Sequence, residues 1–186
     1  TFEEGGRFYG GWWQRIDGSY RKSIRINNLP TVEIDYSALH VVLAYASIDI
    51  DYWDITSKDP YDIPVKDITN KEHARKIIKL LFLLSLNASD EQSLYKAFRN
   101  QTDYEEYPYS FPDDTLAEML TNIRQAHPLI SHLICTGAGL KLMNIDGRIC
   151  EYIIEQFVET NSPILSVHDI FIVQIGQEDR LKELMQ

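Results

Sequence analysis

Cysteine is scarce in this chain: Cys135 and Cys150 are the only two in 186 residues. That is too few for a disulfide framework or a four-cysteine zinc site. Both lie in apolar surroundings, which reads as two buried free thiols in the reducing cytoplasm. Long apolar runs are also missing. None approaches the roughly 20 residues of a membrane helix, and the longest, residues 77–86, is interrupted by Lys79 and Ser85. No signal-peptide pattern opens the sequence. Positive charge is short as well. Eighteen Lys and Arg against 28 Asp and Glu leave a net charge of −10, which argues against a general nucleic-acid-binding protein. No internal repeat, low-complexity tract or clear linker divides the chain.

Hydrophobic residues make up 44%, enough for a sizeable core in a single domain over residues 1–186. The abrupt opening reads as part of something longer, of which this is the C-terminal portion. The few cations are unevenly placed. Arg7, Arg15, Arg21, Lys22 and Arg25 face one acid, Asp17, and they interleave with Phe8, Tyr9, Trp12 and Trp13. Two readings of this stretch stand: a phosphate and base platform, or an amphipathic β-ribbon whose tryptophans are core.

Residues 32–46 read as a strand turning into a helix. Val32 and Ile34 alternate with Glu33, Asp35 closes the strand, and Leu39, Val42, Leu43 and Ala46 recur at helical spacing. Asp35 is either the helix cap or a metal ligand held by rigid backbone. Far downstream, two apolar runs, 164–167 and 170–173, flank His168 and Asp169. That pattern predicts a β-hairpin with an acid at its tip. Two acids on short rigid elements suit a two-metal phosphoryl-transfer site, and carboxylates suit magnesium or manganese. In residues 70–86, a helix by spacing, Arg75 and Lys79 share one face. They are a solvated pair or an anchor for a triphosphate.

These segments resemble the three motifs of the family A DNA polymerases, the bacterial DNA polymerase I kind. DYSALHVVLAYA is similar to motif A, HARKIIKLLFLLSLN to motif B and VHDIFIV to motif C, in the family's order. Gly6 and Arg7 and the run to Arg21 resemble the segment preceding motif A. The resemblance implies an α+β fold: a palm-like small antiparallel sheet flanked by helices, with reduced fingers and no thumb. It implies a nucleotidyltransferase acting on a nucleoside triphosphate and the 3′-hydroxyl of a primer-template nucleic acid, with two Mg²⁺ or Mn²⁺ ions. The implied metal ligands are Asp35, Asp169 and the backbone carbonyl of Tyr36, with His168 positioning the primer end or the carboxylate of its neighbour Asp169. Substrate contacts fall to Arg75, Lys79, His40, Arg7 and Arg21. The thumb would come from another segment or a partner protein. Three positions depart from the pattern. His40 stands where a sugar-screening glutamate is usual, Asn87-Ala88 replaces a tyrosine and glycine, and Ile170 replaces an acid. The alternative is a palm-like nucleic-acid-binding or structural module without catalysis.

The remaining expectations are structural. Strands are predicted over 8–13 and 19–26, with a turn at 27–30. Residues 49–67, with six aspartates, read as a solvated loop. Helices are predicted over 37–47, 90–99 (capped by Ser89), 115–126, 129–135 and 178–185. Another helix, 140–159, is expected to turn Ile145, Ile149, Tyr152, Ile153, Gln156 and Phe157 to one side, with Asp146 and Arg148 toward the site. Residues 100–114 read as a long irregular loop.

Overall fold

The computed structural model describes residues 4–101 and 111–186, so most of the loop expected at 100–114 lies outside the described residues. The fold is α+β and divides into two compact units: Thr1–Leu39 with Met143–Gln186, and His40–Leu142.

The first unit holds a four-stranded antiparallel sheet in the order β1-β2-β4-β3. Its strands are β1 Arg25–Ile26, β2 Leu29–Asp35, β3 Ile164–Val167 and β4 Ile170–Gln174. Asn27 and Asn28 both take positive φ (52° and 64°), the conformation a two-residue hairpin requires and asparagine tolerates. They join β1 to β2 where the turn was expected. One sheet face carries Val32, Ile34, Phe171 and Val173 against Cys150, Ile153 and Phe157 of a long helix, α7 in chain order (Gly139–Glu159). The other face carries Val167 and Ile172 against Trp13, Ile16 and Ile24. The period-2 alternation of β4 therefore serves two apolar layers, which is why its run reads as continuously hydrophobic. A C-terminal helix, α8 (Glu178–Leu184), buries Leu181 in the first layer.

Residues 8–13 and 19–26 do not form the expected strands. A single 3-10 turn covers Trp12–Gln14, a four-residue helix α1 covers Gly18–Arg21, and only Arg25–Ile26 is strand. Asp17 starts α1 by accepting a bond from the Ser19 amide (2.8 Å), a local contact that competes with a ladder. The inward face of α7 holds Ile149, Ile153 and Phe157 as expected and departs from expectation elsewhere. Ile145 and Tyr152 are exposed, while Leu142, Asp146, Gly147 and Cys150 are buried. Gly147 is there because a Cβ would meet the Gly6 carbonyl oxygen at 2.7 Å. Arg148 is exposed.

The second unit is helical: α2 Leu39–Ala46, α3 Tyr52–Ile55, α4 Lys71–Asn87, α5 Glu91–Gln101, α6 Asp113–Ala126 and a 3-10 segment Pro128–Leu133. The aspartate-rich connection is more ordered than expected. Asp51 caps α3 through the Trp53 amide (2.8 Å), and Val65 and Ile68 form a bridge. Asn70 caps α4 by accepting from His73 N–H (3.0 Å). Asp90, not Ser89, caps α5, accepting from Ser93 N–H (2.8 Å). Of the helix expected over 129–135, residues 129–133 are 3-10 and 134–135 are turn. Helix α4 packs on α5 and α6 and buries Ile77, Ile78, Leu81, Phe82 and Leu86. Cys135 is half-buried and Cys150 buried, both as free thiols. No helix among the described residues is long and apolar enough to cross a membrane.

Two features here carry predictions. Ala38 precedes α2 with φ of 54°, a left-handed conformation that costs an L-residue about 1–2 kcal/mol. Ala38→Gly relieves that strain while adding backbone entropy to the unfolded chain. The expected net gain is about 0.5–1 kcal/mol, read from urea midpoints. The second feature is His127, buried at the end of α6. Its Nε2 lies 2.9 Å from the Pro60 carbonyl oxygen, which only accepts, and its Nδ1 lies 3.1 Å from the Tyr45 hydroxyl. The neutral ring with its proton on Nε2 satisfies both. Burial pushes its pKa below the ordinary value, so the unfolded chain binds the proton more readily. The resulting stability is complete above the unfolded pKa near 6.5 and declines as pH falls below it. Urea midpoints measured from pH 7.5 to 5 should show that decline in the wild type and a shallower one in His127→Gln.

Candidate active site

The sheet brings together the two acids on which the sequence reading rests. Strand β2 pairs with β4 in a register that sets Thr31 opposite Gln174 and Asp35 opposite Ile170. Strand β3 pairs with β4 so that Val167 faces Ile170. His168 and Asp169 are therefore the two-residue hairpin tip, and that tip lies at the same end of the sheet as Asp35. The ladder runs one step further. Tyr36 N–H donates to the Asp169 carbonyl at 3.3 Å, tying the residue after one aspartate to the other aspartate itself. Asp35 is exposed and Asp169 half-exposed, so both reach solvent.

The helix-cap reading of Asp35 does not fit this geometry. Asp35 is still in β2, and α2 starts only at Leu39, after the left-handed Ala38. A cap lies immediately before the first helical residue. His168 adopts φ of 57°, the positive φ that the first position of such a two-residue hairpin requires and that histidine tolerates. Its Nδ1 is buried with no hydrogen-bond partner. A buried N–H with no acceptor is costly, which assigns the ring proton to Nε2. The ring edge meets Tyr9 at 5.6 Å between centroids.

Beneath this end of the sheet lies Tyr36, packed edge-on against Phe171 (6.4 Å). Burial, reinforced by the Asp146 and Cys150 charges, pushes its phenol up to about 12, so it stays neutral. Asp146 is 2% exposed and accepts from Arg7 Nε at 2.7 Å. Asn144 donates to the Gly5 carbonyl at 3.0 Å. Trp13 Nε1 and Gln14 Nε2 both donate to the Ser166 carbonyl at 2.9 Å. Residues 5–14 are thus fastened to α7 and to β3, just before the hairpin tip. Sequence reasoning missed this fastening; the paired glycines 5 and 6 were its one local signal.

The cations expected to bind substrate are placed as follows. Arg7 holds Asp146, and Arg21 grips Glu33 through two bonds (3.1 and 3.3 Å). In the second unit, Arg75 donates to Asp59 at 2.7 Å. Its guanidinium lies 5.4 Å from the Tyr61 ring centroid and the Lys79 ammonium 6.0 Å from the same centroid. The two cations therefore share one aromatic surface, as their spacing of four residues on α4 allows. His40 lies half-buried on α2.

The donors at the acidic end of the sheet, the carboxylates of Asp35 and Asp169 and the carbonyl of Tyr36, are all oxygen, which suits a hard divalent cation. Among the described residues, no group of three or more His, Cys, Asp or Glu side chains could hold a metal ion. Compared with protein-family models, with curated proteins and with solved structures, the chain finds no match.

Proposed function

We propose that the chain is a nucleotidyltransferase of DNA polymerase-like type, built on a palm with reduced fingers. It would join a nucleoside triphosphate to a nucleic-acid 3′-hydroxyl. One observation carries the reading: Asp35, which closes β2, and Asp169, in the turn that opens β4, are remote in sequence and lie at the same end of two paired antiparallel strands. In this reading Asp35, Asp169 and the Tyr36 carbonyl supply oxygen ligands. Magnesium or manganese held there supplies charge neutralisation at the phosphate and acidity at the attacking hydroxyl. His168, with its proton on Nε2, donates a hydrogen bond that positions the primer end. Within the second unit, Arg75 and Lys79 are a cation pair suited to a triphosphate, with Arg75 exchanging its Asp59 partner for phosphate. The place of action is the cytoplasm, and a thumb is supplied by a further segment or partner protein.

The test is extension of a labelled, primed template by the wild type, with deoxy- and ribonucleoside triphosphates in parallel and with Mg²⁺ or Mn²⁺. Product is expected from at least one nucleotide series. No product under any combination, together with no Mn²⁺ binding that depends on Asp35, would sink the proposal. A second reading, a palm-like nucleic-acid-binding module without catalysis, draws support from Arg75 and Arg21. Each already has a carboxylate partner, Asp59 and Glu33. It predicts oligonucleotide binding with no extension.

A further inference from the structure

We infer that residues 9–25 form a binding surface for single-stranded nucleic acid, with Trp12 and Tyr20 as stacking platforms and Arg15, Lys22 and Arg25 as phosphate contacts. The inference rests on the reading of nucleic acid as substrate and names where an unpaired strand lies. Three observations carry it.

The first is exposure. Tyr9, Tyr20 and Trp12 are 72%, 69% and 60% exposed, more than any other aromatic side chain among the described residues. Large apolar rings left in water are a cost that a binding partner removes. The same stretch buries what it needs for folding: Trp13, Ile16 and Ile24 pack on the sheet. Core and platform thus come from alternate sides of one segment, and the two readings of the tryptophans divide between Trp13 and Trp12.

The second is charge. In a chain of net −10, residues 7–25 hold five cations and one acid. Arg7 and Arg21 are taken by Asp146 and Glu33. Arg15, Lys22 and Arg25 are exposed and appear in no ion pair among the described residues. Cations interleaved in sequence with solvent-facing rings on an otherwise acidic protein complement a polyanion with exposed bases.

The third is rigidity. The Gln14 side chain accepts from the amides of Gly10 (3.0 Å) and Gly11 (3.3 Å) and donates to the carbonyls of Phe8 (3.0 Å) and Ser166 (2.9 Å). The loop bearing Tyr9 and Trp12 is therefore preorganised, which lowers the ordering cost of binding. Tyr9 also touches His168, so a strand lying on this surface leads toward Asp169.

Fluorescence anisotropy with a labelled oligothymidylate of about 20 nucleotides tests the surface. The variants are Trp12→Ala/Tyr20→Ala and Arg15→Gln/Lys22→Gln/Arg25→Gln, each checked for an unchanged melting curve. The aromatic double variant should weaken binding by at least about tenfold. The wild type should show a log–log salt slope near −2, from three cations at about 0.7 each, and the cation variant should flatten it. Intrinsic fluorescence quenching by the oligonucleotide should disappear in Trp12→Phe. Wild-type affinity in the aromatic variant, or an unchanged salt slope in the cation variant, overturns the inference. So does binding to phosphatidylcholine–phosphatidylserine vesicles in place of oligothymidylate. If the wild type binds through Trp12 but extends no primer, the surface stands and the nucleotidyltransferase reading fails. If primers are extended while both variants bind as tightly as the wild type, only the surface fails.

Discussion

Asp169→Asn and Asp35→Asn should each slow primer extension by about 10²–10³-fold, the loss seen when one group stabilising transition-state charge is removed. The affinity for primer-template should hardly change, because neither carboxylate is expected to hold the duplex. Stability should change little, because each substitution keeps the side-chain volume at a position that reaches solvent. Single-turnover extension at saturating nucleotide, read beside thermal melts, separates this outcome from misfolding. Activity retained in both variants would place the chemistry elsewhere or end the enzymatic reading. Lost activity with a large drop in melting temperature would show instead that the acids are structural.

Arg7→Leu is expected to have the largest effect on folding. It leaves the carboxylate of Asp146, 2% exposed, without the guanidinium now 2.7 Å away. Removing one partner of a buried ion pair costs about 3–5 kcal/mol, because the remaining charge stays buried. The pair itself need contribute little. Arg7→Leu/Asp146→Leu should therefore recover most of the loss, and that rescue is the diagnostic result. An Arg7 that served only substrate would give a stable single variant with weakened binding. Urea midpoints for the two single variants and the double variant decide the matter.

How much of this could be read in advance varies along the chain for physical reasons. Helices α4 and α7 were legible because each carries many turns of apolar spacing, and α4 also begins on a side-chain cap, Asn70. The hairpin at 164–174 was legible because polar His168 and Asp169 interrupt two apolar runs. That β2 would pair with β4, setting Asp35 and the hairpin tip at one end of the sheet, depends on tertiary pairing that neither segment encodes locally. The inward face of α7 was legible only in part, at Ile149, Ile153 and Phe157. Close backbone approach made Gly147 inward and an ion pair made Asp146 inward, and neither leaves a hydrophobic signature. The segment 8–24 failed as strand because its order comes from Gln14 and Asp17 side-chain bonds to backbone. The partners of Arg7, Arg21 and Arg75 were invisible for a related reason. Which acid a guanidinium finds depends on tertiary placement, which no local pattern encodes.

The double hydrogen bond to the Ser166 carbonyl has one more effect. Strand β3 is an outer strand of its sheet, and outer strands invite a second chain to add itself by backbone pairing. The indole of Trp13 and the amide of Gln14 occupy a β3 acceptor that an incoming strand would need. The stretch ahead of the sheet thus works as a guard against self-association. Losing it would show first as concentration-dependent clumping, before any change in the folded monomer.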